Sequence, residues 1–409
     1  MHRLTVDRVE AYVDPDEVTA LARRLVAIPS FGTEHGWEGG VARALDDLLT
    51  GEGFAVMRQP VSADRSNLLA ALPGERDGPP LLLFNGHMDT VPPSSSMVRP
   101  PFAAEVSSGR LWGRGAADMK GGLAAMAAAL VALRRAGVRP PRPIVLAAVA
   151  AEETGNLGTA ALAREAVRTG ACASCAVVGE PTALEIVTAH KGVDRYRITV
   201  RGRAAHGATP ERGVNAIVQA ARLIVALEDH LGNSQRHRTH PLLGSPSYNI
   251  GTIQGGVSRN VVPDRCTFQI EKRWLPGDSP EQIRADLEAV VAQTLGPGAA
   301  EVVHEPEFEH IPHPPLAIPE NHALVRALAA AAARVTGRPA ACTVLAAFTD
   351  AAILQAAGIP SVVFGPGSLA VAHADDEHVP TTELHVAARV YAGLALRLCE
   401  AEWQGTPVR

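Results

Sequence analysis

The sequence predicts an α/β fold built on a central, mostly parallel sheet, with a second unit of the order β-α-β-β-α-β inserted into it. Three observations carry that prediction. Short apolar runs without polar alternation recur through both outer parts of the chain, Ala- and Leu-rich helical stretches separate them, and the middle part switches to alternating apolar and polar residues. Unalternated runs read as strands buried on both faces, which belong to parallel sheets covered by helices. Alternation marks strands with one wet face.

Four of the apolar runs stop abruptly at a histidine or a carboxylate. Leu81-Leu82-Leu83-Phe84 leads into Asn85-Gly86-His87-Met88-Asp89, and the run 144–151 leads into Glu152-Glu153-Thr154-Gly155. Ala176-Val177-Val178 ends in Gly179-Glu180-Pro181, while Ser361-Val362-Val363-Phe364 opens into Gly365-Pro366-Gly367, with His373 a few residues beyond. Open parallel sheets bind ligands just past the carboxyl ends of their strands, so these side chains should converge. Helices are expected over 16–28, 40–49 and 118–136, the last opened by Asp118 and followed by Gly137 and Pro140.

In the middle part, Tyr196, Ile198 and Val200 alternate with Arg195, Arg197, Thr199 and Arg201, a half-exposed strand over 193–201. A helix over 214–231 and strands near 248–254 and 265–273 follow. Ser279-Pro280-Glu281-Gln282 reads as a capping box with proline at the first helical position, opening a helix to Leu295. A strand over 301–308 closes a ferredoxin-like unit. The expected division is 1–188 and 307–409 for the parallel-sheet domain, and 189–306 for the inserted unit. The polar strand face makes the insert the expected surface of a homodimer. Residues 230–240, with His230, His237 and His240, read as a polar loop.

A chain of 409 residues is long enough for two domains. With 46% hydrophobic and 20% charged residues, a net charge of −5 and a pI near 6.3, it offers no basic face for nucleic acid. The first residues lack the hydrophobic segment of a signal peptide, and the apolar stretch 122–133 is shorter than a membrane span, so no membrane partner and a cytoplasmic location are expected. Five cysteines do not make a disulfide framework. Cys172 and Cys175 lack the second pair or histidine that a zinc knuckle needs.

Two histidines and several carboxylates meeting at one sheet edge form a costly cluster of like charge unless cations neutralise it. Imidazole mixed with carboxylate, without thiolate, suits a pair of divalent ions, zinc first, with cobalt or manganese as substitutes. His87 and Asp89, two apart in extended chain, point to the same side, so the carboxylate can steer the ring as it ligates. Taken alone, the same pair could merely close a turn. Gly113-Arg114-Gly115-Ala116-Ala117-Asp118 superficially matches a dinucleotide fingerprint, but Asp118 would repel a pyrophosphate. Asp118 instead fits a helix cap or a carboxylate bridging two metals. Adjacent Glu152 and Glu153 have diverging side chains, so one can ligate while the other serves as general base. Glu180 and His373 complete the set. His373 would be dismissed as an inert loop histidine outside this context.

These motifs together resemble the two-zinc acylase and exopeptidase family of acetylornithine deacetylase, succinyl-diaminopimelate desuccinylase, aminoacylase, carnosine-type dipeptidases and glutamate carboxypeptidase. The resemblance spans nearly the whole chain, through Gly86-His87-Met88-Asp89-Thr90-Val91-Pro92, the stretch from Gly113 to Asp118-Met119-Lys120-Gly121-Gly122, Glu152-Glu153-Thr154-Gly155, Gly179-Glu180-Pro181 and Ala372-His373. It implies a zinc-peptidase-like catalytic domain with an inserted lid. It places His87 and Glu180 on one zinc, Glu153 and His373 on the other, Asp118 between them, Asp89 in support of His87, and Glu152 as base.

In the insert, Gly202-Arg203-Ala204-Ala205-His206-Gly207 is similar to the lid motif whose histidine stabilises the oxyanion across a dimer. Gly255-Gly256-Val257-Ser258-Arg259-Asn260 is similar to the substrate-binding turn. Arg273 stands where relatives clamp a substrate carboxylate, although Glu271-Lys272-Arg273 departs from the usual Asp-x-Arg. Thr349, Gly365 and Gly367 are implied to line the same pocket. The implied reaction is hydrolysis of a small N-acyl amino acid by a metal-bridging water that Glu152 activates. A dipeptidase or carboxypeptidase is the alternative, with a non-catalytic binding protein behind both.

Overall fold

The structure, a computed structural model, describes residues 6–33, 36–236, 238–305 and 311–400. The chain divides into two compact units, one within Met1–Thr188, Ala317–Leu345 and Thr349–Arg409, the other within Ala189–Leu316 and Ala346–Phe348. The first expected boundary, at 188–189, coincides with the division, but the second does not: residues up to Leu316 belong to the second unit, which therefore runs past the expected end at 306.

The first unit is organised by a nine-stranded sheet. Its centre consists of the strands Ile144–Val149, Leu82–His87, Ala176–Val178 and Ser361–Val363, hydrogen-bonded in that order and parallel throughout. These are the four unalternated runs, and nearly every residue in them is buried. Antiparallel strands, Ser66–Leu72 and Ala55–Pro60, extend one side, and Ile186–His190 pairs antiparallel on the other. Parallel register sends all four central strands toward one edge, which is what brings their last residues together.

Helix Gly121–Arg135 is the buried spine of this unit, packed against Thr381–Glu400 and Pro15–Val26. By length and composition the stretch Ala116–Arg135 could cross a membrane, longer than the sequence reading allowed, but 94% of its apolar window is buried inside the protein. The helix starts at Gly121 rather than Asp118. Asp118 itself is extended, at φ −118° and ψ 99°, and caps nothing. Pro15–Val26 is capped by Asp14, whose carboxylate accepts from the N–H groups of Asp16 and Glu17. Gly122 meets the Gly179 carbonyl so closely that a β-carbon has no room, and this contact seats the helix against the turn that carries Glu180.

The second unit follows the order strand Gly192–Arg201, helix Ala216–Arg236, strands Ser247–Gly255 and Arg265–Trp274, helix Pro280–Leu295, strand Ala300–His304. Its four-stranded sheet is antiparallel, with Arg265–Trp274 and Gly192–Arg201 central. Tyr196, Ile198, Val200, Phe268 and Ile270 fill its core together with Leu223, Leu227 and Leu287 from the two helices.

Three details differ from the sequence reading. The first helix of the unit runs through most of the expected 230–240 loop, because its apolar face continues to Leu231. Ser279 caps Pro280–Leu295 through the Gln282 N–H, but the Gln282 amide donates to Asp286 instead of returning to Ser279, so the capping box is half made. The last strand ends at His304, and residues 306–308 of the expected strand lie outside the described residues. All five cysteines are free.

Candidate metal centre

At the carboxyl edge of the parallel strands the structure gathers His87, Asp118, Glu152, Glu153, Glu180 and His373. His87 is the last residue of Leu82–His87 and is 1% exposed. Its Nδ1 lies 2.9 Å from the main-chain oxygen of Asp89 and its Nε2 lies 2.9 Å from Asp118 Oδ1. Donation by Nδ1–H to that carbonyl leaves the Nε2 lone pair for a cation. Glu180 Oε1 lies 3.8 Å from the same Nε2. On the other side of Asp118, Oδ2 lies 3.3 Å from His373 Nε2, which in turn is 3.2 Å from Glu153 Oε1. The two oxygens of one carboxylate therefore face two imidazoles.

Three overlapping groups have ligand atoms all within 4.8 Å of one another: His87, Asp118 and Glu180; Asp118, Glu153 and His373; and His87, Glu152 and Glu153. The donor set of borderline nitrogen and hard oxygen fits two divalent ions sharing Asp118.

The electrostatics carry the same message. Burial pushes the carboxyls of Glu152 and Glu180 well above the usual range, with neighbouring acids adding to it, and burial likewise raises Glu153. Burial works against the charge of His87, but the hydrogen bond to Asp118 and nearby carboxylates lift it well above 6.5. His373 is pushed up to about 10 by its hydrogen bonds to Asp118 and Glu153. Asp118 lies below the carboxylate range despite burial, because both imidazoles bond to it. Protons on imidazole thus do part of the neutralising that cations would do, and buried acids are left over.

The supports differ from those the sequence suggested. The Asp89 carboxylate is 3.7 Å from His87 Nδ1 and serves elsewhere: it accepts from the N–H groups of Glu152 and Glu153 at 3.1 and 3.3 Å and from Arg65 at 3.2 Å. Asp89 therefore sets the turn of the two glutamates, and it is the Asp89 carbonyl that orients the ring. Arg65 also donates to Thr154 at 2.8 Å and Glu38 at 2.8 Å, bracing the same turn. The Asn156 amide donates to Glu152 Oε1 at 2.9 Å and to Asp350 at 3.0 Å.

Glu377 and Arg114 were not singled out by sequence reasoning for this site. Glu377 Oε1 accepts from the N–H groups of Ala117 and Asp118 at 3.0 and 3.1 Å, its Oε2 pairs with Arg114 at 2.6 Å, and Arg114 donates to the His373 carbonyl at 3.2 Å. The pair is almost fully buried and 263 positions apart in sequence, so no local spacing connects it.

Thr349, Gly365 and Gly367 are held by nearby backbone contacts. Thr349 caps helix Asp350–Ala356 through the Ala351 N–H. Gly365 and Gly367 accept from the Leu184 and Ala183 N–H groups, and a β-carbon on Gly365 would lie 2.5 Å from the Glu180 carbonyl. These two glycines seat the Glu180 turn.

His206, Asn260 and Arg273 belong to the second unit. The exposed His206 accepts from the Ala208 N–H, and the Asn260 carbonyl accepts from Gly207 at 2.7 Å. Their loops border a cavity of about 530 Å³ that includes Gly207, Asn215 and Arg259. Arg273 is paired with Glu271 at 2.8 Å.

The sequence profile of peptidase family M20/M25/M40 matches residues 83–397, well over half the chain. The chain belongs to that family. As an M20/M25/M40 member it is a metal-dependent hydrolase of amide bonds. Among solved structures it is similar to aminopeptidase PepT from Bacillus cereus, 24% identical with a TM-score of 0.75 over 95% of this chain and 99% of that one. The M20 family metallo-carboxypeptidase Sso-CP2 from Sulfolobus solfataricus is 18% identical, with a TM-score of 0.76 over 94% of this chain and 100% of that one. The Bacillus subtilis YXEP protein, described as a dinuclear metal binding peptidase, is 20% identical at a TM-score of 0.69 over 95% of this chain and 99% of that one. At these identities the M20/M25/M40 fold is what is shared.

Proposed function

We propose that this chain hydrolyses the amide bond of a small N-acyl amino acid or related compound, with Glu152 as general base. The observation that carries the reading is Glu152 itself: a buried carboxyl beside the ligand cluster, with Oε1 held by the Asn156 amide and its pKa raised by burial. A carboxylate base gains from a raised pKa and a fixed aim; burial raises the Glu152 carboxyl and the anchored oxygen fixes its aim. The proposed holders are His87, Asp118 and Glu180 for one ion and Asp118, Glu153 and His373 for the other, with zinc first and cobalt or manganese as substitutes. Bound there, two divalent ions would supply Lewis acidity toward the scissile carbonyl and acidify an attacking water.

Glu152 takes a proton from that water and returns it to the departing amine, so the same carboxyl is base and then acid. Asp89, through the N–H groups of Glu152 and Glu153, holds the base in register with its neighbouring ligand. His206 is the proposed oxyanion donor, Asn260 and Arg273 the proposed substrate contacts, and the exposed edge strand Ser247–Gly255, with Ile253 51% exposed, supports a homodimer through the inserted unit.

Dipeptide or peptide cleavage is the second reading, favoured by the similarity to an aminopeptidase and a metallo-carboxypeptidase. Product analysis of zinc-loaded protein on matched panels of N-acetyl amino acids and dipeptides separates the two. Acetate release with dipeptides untouched supports the deacylase, the reverse supports the peptidase, and no cleavage of either sinks both.

A further inference from the structure

One lysine in the second unit stands where its strand calls for a hydrophobe. Strand Arg265–Trp274 turns Cys266, Phe268, Ile270 and Trp274 into the core, and Lys272 belongs to the same alternating series at 8% exposure. Its cross-strand partners in register are Tyr248 and Asp194, but Asp194 is hydrogen-bonded to His304 at 3.0 Å and, among the described residues, no ion pair joins it to the lysine. Among the described residues the Lys272 ammonium has no hydrogen bond or ion pair. A lysine at 8% exposure in an apolar series is an exception to its strand's pattern, and such exceptions cluster at functional sites.

Lys272 lines a small, partly open cavity of about 150 Å³ formed wholly by residues of this unit. Its other charged walls are Arg238 and Asp278, joined as an ion pair, and Asp286, which accepts from the Gln282 amide at 2.8 Å. Leu231, Ile270, Ile283 and Leu287 supply the apolar surface. Two cations against two carboxylates leave the lining formally neutral, with positive and negative groups displayed separately. Beyond the lining, Lys191 also bears on Lys272, and its Nζ donates to the Ser245 carbonyl at 2.5 Å. Burial holds the Lys272 amine below the ordinary lysine range, against the pull of the Asp278 and Asp286 carboxylates.

We propose that this cavity binds a free, apolar α-amino acid as a zwitterion. The ligand's carboxylate meets Lys272, its ammonium meets the Asp286 side, and its side chain covers the leucines and isoleucines. The volume is well under the roughly 300–1,000 Å³ that drug-sized ligands fill, so the occupant is small. A simple anion would satisfy Lys272 but face two carboxylates and leave the apolar wall bare. A simple amine would leave Lys272 as it is. The site is independent of which amide the metal centre cleaves.

Isothermal titration of the zinc-loaded full chain with L-leucine tests this. Saturable binding is expected in wild type and in His87→Ala, with at least a tenfold loss in Lys272→Met and in Asp286→Asn. In His87→Ala, whose metal centre lacks a proposed ligand, N-acetyl-L-leucine and isoamylamine, each missing one charge, should bind at least tenfold more weakly than leucine. Methionine matches the lysine stem, so Lys272→Met should keep the wild-type melting temperature or exceed it. Absence of leucine binding overturns the proposal. So does binding that vanishes in His87→Ala while surviving Lys272→Met, which would place the amino acid at the metal centre. Equal binding of acetate would reduce the site to one for simple anions and equally overturn it.

Discussion

Glu377 holds the main chain of Asp118 in place. Its Oε1 accepts the Asp118 N–H at 3.1 Å, while its Oε2, through Arg114, reaches the carbonyl of His373. One buried carboxylate thus fixes both the residue shared by the two ligand groups and the more exposed imidazole that faces it. Glu377→Gln keeps an acceptor but strips the charge from Arg114, leaving a buried guanidinium without its counter-ion, at a cost of about 3–5 kcal/mol. The expected outcome is a lower melting temperature and metal affinity reduced about 10–100-fold, read by competition with a chromophoric chelator. Wild-type affinity in a folded variant would remove Glu377 from the centre.

Glu152→Gln separates chemistry from metal binding. Loss of a general base should lower kcat by about 10²–10⁴. Metal content by elemental analysis should stay at the wild-type level, because neither three-residue group that shares Asp118 contains Glu152. Full turnover in this variant would refute the assigned base.

Metal loading should release protons. His373 is lifted to about 10 and so is charged at pH 7, whereas a ligand imidazole must be neutral. Apparent zinc affinity should therefore rise as pH climbs from 6 toward 10. Calorimetry at pH 7 in buffers of different ionisation heat should count at least one proton released per chain, and a count of zero contradicts the proposed ligand. Chelation with EDTA should abolish turnover, and zinc should restore it.

Asp194 makes a separate pH prediction. Burial raises its carboxyl from 3.8 to about 6, against the pull of the His304 hydrogen bond, and its Oδ2 is buried without a partner. An acid whose folded pKa exceeds its unfolded one favours folding when protonated, so this contribution is lost as pH rises from about 4 through 6. The gap corresponds to about 3 kcal/mol at neutral pH. Asp194→Asn should gain melting temperature over wild type at pH 7.5 and much less at pH 4.5. An equal difference at both values would mean that charge is not the cause.

Gly365→Ala tests the seat of Glu180. A β-carbon there would lie 2.5 Å from the carbonyls of Gly179 and Glu180. Displacing that backbone should cost about 1–3 kcal/mol in thermal unfolding and weaken one metal more than the other. Unchanged metal stoichiometry and stability would show that the turn yields freely.

The candidate ligands stood out in the sequence because each follows an unalternated apolar run, or a helix start, and strand burial is a local property of composition. His87 directly after Phe84-Asn85-Gly86, and Glu153 after the run ending at Ala151, needed no partner to be noticed. Supporting contacts are a different matter. The Asp89 carboxylate was expected on its neighbour's ring and instead serves a turn 63 and 64 residues away, since the main-chain N–H groups there are closer to ideal geometry. The close backbone contact at Gly365 likewise depends on partners brought together by the fold.

The sequence by itself determined the parallel strands, the inserted β-α-β-β-α-β unit and the residue types available for metal chemistry, because hydrophobic period and composition are written in consecutive residues. Only tertiary structure decided that the two oxygens of Asp118 face two different histidines, that Arg114 and Glu377 brace them, and that Lys272 lines a small cavity beside Asp286. Hydrogen bonds and charges act over a few ångströms in space, and the chain brings those groups together from positions up to 263 residues apart.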